Sequence, residues 1–242
     1  MDLKELQALG GEPDKHWYYR SKVRALLRLL DGRVAKHLID VGAGSAYFSR
    51  HLLTKGTVGR VTCVDTGYPA DDGDPCEGRP MRRRRQLIPG EDSSADGLLF
   101  MDVLEHVEDD AGLVRHYVDW AQPGAWFAFT VPAFDWLWSD HDVFLEHRRR
   151  YTLIELEACV ARAGLKVVNG CYCFGAVLPL AVVTRLAKRK VRSGPAASQL
   201  QRHHPWVDQM LGGLCTLELP LLPFNRLGGL SALCLAVKPG KV

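Results

Sequence analysis

The feature that most constrains this chain is a strand that ends in a glycine turn and opens at once into a helix. Residues 37–41 (HLIDV) form a short, nearly continuous apolar run, the pattern of a strand buried on both faces. Gly42-Ala43-Gly44-Ser45 follows, and the pattern is helical from about Tyr47 to Thr54. Glycines so placed let the backbone turn tightly and approach a ligand closely. The helix start then presents free N–H groups. A second run, 60–65 (RVTCVD), has the same character and also carries an acid at its end.

The alternation continues. Strands are predicted over 82–88, 96–101, 125–132, 165–174 and 231–237. Helices are predicted over 14–31, 107–124, 152–164 and 176–187, with one more before the last strand. Gly32 stops the first helix, with Val23, Leu26, Leu27 and Leu30 on one face; Pro123 and Gly124 stop another. Thr152 and Glu155 form a capping box. The turn-rich segment 67–80 reads as loop. This order predicts an α/β fold with a mostly parallel sheet and helices on both faces. The 242 residues suit one domain, with an N-terminal helical cap (about 1–32) and a helical insertion or lid (about 175–225).

In open α/β sheets, ligands bind at the carboxyl ends of the strands. A dinucleotide turn reads Gly-x-Gly-x-x-Gly, but the sixth position here is Tyr47, which argues against a pyrophosphate and an NAD-dependent oxidoreductase. Asp40, just before the turn, would repel a pyrophosphate and attract an ammonium group. Asp65, about 20 residues beyond the turn, stands where an acid accepts hydrogen bonds from ribose hydroxyls. Two acids flanking the turn suit an adenosine carrying an amino acid.

At these residues the sequence resembles class I S-adenosylmethionine-dependent methyltransferases. LIDVGAGSAYFSRHL is similar to their first motif, VTCVD to the second, and DGLLFMDVLEHVEDD to the motif at the fourth strand. HWYYRSK is similar to a segment preceding the domain. The stretch from Phe134 to Val168 resembles the region after the fifth strand in a bacterial small-molecule branch. The likeness covers about residues 14–175, with Ala46 where the family has a third glycine. It implies a Rossmann-like fold with a seven-stranded sheet and an antiparallel last strand. It also implies S-adenosylmethionine as cofactor and S-adenosylhomocysteine as product. Asp40, Gly42, Ala43, Gly44 and Ser45 would hold the methionine end, Asp65 and Thr66 the ribose, and Asp102 to His106 the floor between cofactor and acceptor.

An acceptor bearing a hydroxyl needs a base. His141 leads, with Asp140 or Asp142 to orient it; His106 is second, and Asp102 lies beside it. Loop-fixing hydrogen bonds are the other reading of Asp140 and His141. The likeness to ubiquinone-pathway O-methyltransferases implies that Asp102, Glu105 and His106 could hold Mg²⁺, though structural roles are favoured and no metal is expected. Phe134, Trp136 and Trp138 either wall an apolar acceptor pocket or belong to the core. Arg82–Arg85 read as a solvated charge run. Arg148–Arg150 do too, or they hold an anionic acceptor group.

The formal net charge of +3 does not point to nucleic acid, and no aromatic–basic stripe supports it. Seven cysteines without metal or CxxC spacing suit a reducing compartment. The N-terminus lacks signal-peptide character. A cytoplasmic protein follows. The apolar stretches near 176–187 and 211–224, with the basic run 185–192, either form a lid or touch the inner face of an anionic membrane. The resulting expectation is methyl transfer to a small, lipophilic or aromatic acceptor, O-methylation favoured. The alternative is a module that binds the nucleoside without catalysis.

Overall fold

The computed structural model describes residues 12–73, 76, 78–90, 92, 95–189 and 204–240. Eight strands form one sheet in the order β3-β4-β2-β1-β5-β6-β8-β7. The strands are β1 (Ala35–Val41), β2 (Val58–Val64), β3 (Asp72–Gly73), β4 (Met81–Arg84), β5 (Ala95–Met101), β6 (Ala121–Pro132), β7 (Lys166–Cys173) and β8 (Ser231–Val237). From β4 to β6 every pairing is parallel; β8 runs antiparallel between β6 and β7.

The helices are α1 (Trp17–Leu30), α2 (Tyr47–Thr54), α3 (Asp110–Val118), α4 (Asp140–Phe144), α5 (Leu153–Arg162), α6 (Leu178–Arg189) and α7 (Pro205–Glu218). Two apolar clusters lie on the two faces of the sheet. One joins Leu38, Val61, Leu99 and Leu233 to α1 and α2; the other joins Ile39, Leu98, Phe127 and Cys234 to α3 and α5. Adjacent strand residues such as Leu38 and Ile39 feed opposite faces because side chains alternate along a strand. That is why the central strands are apolar throughout.

The sheet has eight strands rather than seven. The added one, β3, is a two-residue strand inside the segment expected to be loop, antiparallel to β4. Asp71 and Asp72 pair there with Arg84 and Arg83. The helix expected over 107–124 ends at Val118. Pro123 and Gly124 instead occupy the irregular start of β6, where the register with β5 shifts. All seven cysteines are free thiols, and all but Cys76 are buried. Among the described residues no helix is long and apolar enough to cross a membrane. Residues 1–11 of the expected cap and 190–203 of the expected insertion lie outside the described residues.

Candidate functional site

The glycine turn sits at the carboxyl end of β1. Gly42 has φ of +62°, and a Cβ there would lie 2.8 Å from Val103 on the neighbouring loop. Ala46, in place of a third glycine, has φ of +59° and is fully buried, so alanine accepts a left-handed backbone to start α2. The Asp65 carboxylate closes the turn by accepting the Gly44 and Gly67 N–H groups, both at 2.8 Å. The Tyr68 hydroxyl donates to the Gly44 carbonyl. A cleft opens between this turn and the loop after β5, lined by Gly42, Gly44, Asp65, Asp102, Val103 and His106. Just before α2 the Ser45 hydroxyl oxygen is buried without a hydrogen-bond partner among the described residues.

Asp40 is placed differently from the expectation. Its carboxylate is 2 % exposed, accepts a hydrogen bond from Ser49 in α2, and does not line the cleft. Burial pushes its carboxyl up to about 6, with the negative Asp65 adding to the effect.

Asp102 ends β5 with φ of +57°, which turns its side chain toward α1. There the sequence reading missed a residue: Lys22, wholly buried, forms an ion pair with Asp102 and donates to the Tyr18 hydroxyl at 3.1 Å. Thr130 donates to the other Asp102 oxygen at 3.0 Å. Burial disfavours the Lys22 charge, but Asp102 and Tyr18 outweigh it and hold the ammonium firmly protonated. Likewise the Asp102 carboxyl is held below its usual range by Lys22 despite burial. Tyr19, Lys22, Leu26 and Leu29 lie at helical spacing along the buried side of α1. A lysine on an apolar stripe was the signal that could have exposed this pair.

A second cavity of about 290 Å³ adjoins the cleft and shares Asp102 and His106 with it. Its apolar wall comes from Trp17 ahead of β1 and from Val177, Leu180, Leu211 and Leu230 between β7 and β8. Its polar wall carries Glu105, His106, His141, His147, Arg150 and Arg185. Arg185 donates to the Leu137 carbonyl, and burial together with nearby Arg150 pushes its guanidinium down to about 10.

The acid expected to orient His141 serves a different imidazole. Asp142, fully buried, lies 2.9 Å from His147 Nδ1 and takes two hydrogen bonds from Arg150, at 2.7 and 3.0 Å. Burial opposes its charge, yet His147 and Arg150 hold its carboxyl far below the usual range. Asp140 is exposed. Arg148 and Arg149 face Glu108 and Asp110 across the surface, so only Arg150 of that run reaches the cavity, already paired. Trp136 and Trp138, 60 % and 41 % exposed, are neither core nor cavity wall, and Phe134 stacks on Tyr172 and Trp136. The Mg²⁺ grouping of Asp102, Glu105 and His106 does not fit, because Asp102 is committed to Lys22 and Thr130.

A glycine turn, an acid closing it from the second strand and a cleft at the carboxyl edge of a parallel sheet define a Rossmann-like nucleoside site. Family comparison agrees: residues 15–169 match the model of a methyltransferase domain, and the chain belongs to that family, the class I S-adenosylmethionine-dependent methyltransferases. A search of curated proteins found no match. Among solved structures, one is the complex between the Haloferax volcanii Trm112 methyltransferase activator and a methyltransferase. It matches at 20 % identity and TM-score 0.57, covering 96 % of this chain and 93 % of that one. The [4+2]-cyclase SpnF matches at 13 % identity and TM-score 0.56, over 93 % and 82 %. The Burkholderia thailandensis 1,6-didemethyltoxoflavin-N1-methyltransferase, with S-adenosylhomocysteine bound, matches at 18 % identity and TM-score 0.51, over 90 % and 77 %. These likenesses show the fold. The cofactor of the family is S-adenosylmethionine, and the turn that leaves Gly42 no room for a Cβ, with the orphaned Ser45 hydroxyl beside it, suits that ligand.

Proposed function

We propose that this chain transfers the methyl group of S-adenosylmethionine to an oxygen of a small, apolar or aromatic acceptor. The observation that carries this reading is the junction of the two pockets. The cleft at the glycine turn and the 290 Å³ cavity meet at Asp102 and His106, so a molecule in the cavity faces one in the cleft. When bound, the cofactor supplies an activated methyl group.

The protein's part is alignment, exclusion of water and handling of a proton. Gly42, Ala43, Gly44 and Ser45 hold the methionine end. Asp65 and Thr66 take the ribose, and Asp102 and His106 form the floor. His141 is the base that accepts the hydroxyl proton, with His106 as its nearest rival. Both line the cavity, and an imidazole is the side chain most often used for such proton transfer. The apolar wall from Trp17, Val177 and Leu211 selects the lipophilic body of the acceptor. The N-terminal cap and the helical insertion are read as the cavity's entrance within a single domain.

Calorimetry with S-adenosylmethionine and S-adenosylhomocysteine, with NAD as control, tests the cofactor half. Binding of the first two without NAD is expected; the reverse pattern overturns the reading. Incubation with lipid-like phenols tests the acceptor half, read as release of S-adenosylhomocysteine. Methylation confined to amines would remove the oxygen from the proposal.

A further inference from the structure

Glu105 is a fully buried carboxyl group whose place in the fold asks for an explanation. It lies in the single helical turn after β5, is 0 % exposed, and among the described residues has no hydrogen-bond partner on either carboxylate oxygen. A carboxylate removed from water costs several kcal/mol unless something compensates it. Yet Glu105 lines the acceptor cavity, and two imidazoles converge on it. One ligand-capable atom from each of Glu105, His106 and His147 lies within 4.8 Å of the others.

His147 is oriented for such a role. Its Nδ1 faces the Asp142 carboxylate at 2.9 Å, and Arg150 keeps that carboxylate ionised. That contact engages Nδ1 and leaves Nε2 as the ring nitrogen available to a ligand. A carboxylate behind an imidazole is the arrangement that fixes tautomer and raises basicity in metal-bound histidines. The His106 and His147 rings stand edge to face at 4.9 Å.

We propose that Glu105, His106 and His147 form a three-ligand site for a divalent transition-metal ion of the zinc class, its open position facing the acceptor cavity. The donor set differs from the Asp102-containing Mg²⁺ grouping, since Asp102 is spent on Lys22 and His147 takes its place. Two nitrogens and one oxygen suit zinc, cobalt or iron(II) better than magnesium. Tetrahedral ligands at about 2.1 Å from the ion lie about 3.4 Å apart. The side chains therefore need to close inward by no more than about 1 Å on binding. The ion compensates the buried carboxylate. Placed beside the acceptor, it would bind the hydroxyl oxygen and lower its pKa, releasing the proton to a cavity base. That role rests on the proposed methyl transfer; the binding of the ion does not.

The test uses chelator-stripped full-length protein titrated with Co²⁺, followed by visible absorption, with Zn²⁺ as competitor and Mg²⁺ as the hard control. One equivalent of Co²⁺ should bind with intense ligand-field bands, be displaced by Zn²⁺ and ignore Mg²⁺. Glu105→Gln and His147→Gln should each weaken Co²⁺ at least tenfold, with circular dichroism verifying the fold. Absence of a stoichiometric Co²⁺ spectrum in the wild type overturns the proposal, whether or not the variants fold. So do unchanged affinities in both folded variants. S-Adenosylhomocysteine binding, measured on the same stripped protein, separates the two readings: its loss would sink the cofactor assignment, and a missing Co²⁺ spectrum the metal site.

Discussion

Lys22 and Asp102 show how a single pair can hold a junction together. The ammonium is wholly buried and, among the described residues, forms its ion pair with Asp102, which in turn lines both pockets. Removing one member of a buried pair strands the other, typically at about 3–5 kcal/mol. Lys22→Met should lower unfolding stability in urea by about 3 kcal/mol, with much of the loss recovered when Asp102→Asn is added. Additive single losses would mean the two residues act independently. Asp40 gives a pH signature. A free aspartate titrates near 3.9, whereas native Asp40 keeps its proton up to about 6. Between these values the native state binds more protons than the unfolded chain, so Asp40's contribution to stability falls as pH rises through that window. Asp40→Asn keeps the size of the side chain beside Ser49 and removes the charge. In cofactor-free protein the variant should therefore gain on the wild type by on the order of 2–3 kcal/mol between pH 4 and pH 7. Parallel stability profiles would refute this assignment. His141→Ala should lower turnover at least tenfold with S-adenosylhomocysteine affinity unchanged; normal turnover would remove it as the base.

At the scale of elements, the sequence was legible where a segment's own pattern decides its structure. β1, β2, β5 and β8 are apolar runs that need burial on both faces, and they stand where that pattern puts them. The Thr152–Glu155 box caps α5 with both reciprocal hydrogen bonds. The failures are elements decided by partners. Asp72 and Gly73 have no strand character; they pair because β4 offers an open edge beside them. Pro123 and Gly124 look like helix stops, but Gly124 N–H donates to the Lys238 carbonyl, more than a hundred residues away. The site divides in the same way. The glycine turn, Asp65 and the Asp102–His106 loop are local patterns at strand ends. Asp142–His147–Arg150 is compact in sequence, yet nothing there says which histidine the acid will face. The turn itself is tested by Gly42→Ala. An added Cβ meets Val103 at 2.8 Å in a left-handed backbone. The strain is of order 1–3 kcal/mol, and relief comes only by moving the turn or the loop after β5. Stability should fall by about that amount, and S-adenosylhomocysteine affinity should fall with it; loss of stability with intact affinity would detach the turn from the cofactor site.

Over the whole molecule, the cavity proposed for the acceptor is built from segments far apart in sequence. Trp17 and Tyr18 wall it from before the first strand; Leu180, Ala181 and Leu211 wall it from after the seventh. Asp208, in the first turn of α7, ties these parts. It accepts from the Trp17 backbone N–H at 2.6 Å and from Arg20 Nη2 at 2.5 Å, across 191 and 188 residues of sequence. The Trp17 N–H is at the start of α1, where a helix has no internal acceptor for it. Asp208 therefore supplies from a distant helix what a local cap would otherwise provide. Asp208→Ala leaves that buried donor and a cation unmatched, which costs about 1–3 kcal/mol. The glycine turn and Asp65 lie on the central strands and make none of these contacts. The variant should bind S-adenosylhomocysteine with wild-type affinity while KM for the acceptor rises, because only the second pocket loses a wall. Calorimetry and initial-rate kinetics on one preparation decide it. An equal loss of both affinities would show that the cap and insertion support the nucleoside site as much as the acceptor cavity, and the division of labour between strand ends and helical cover would have to be withdrawn.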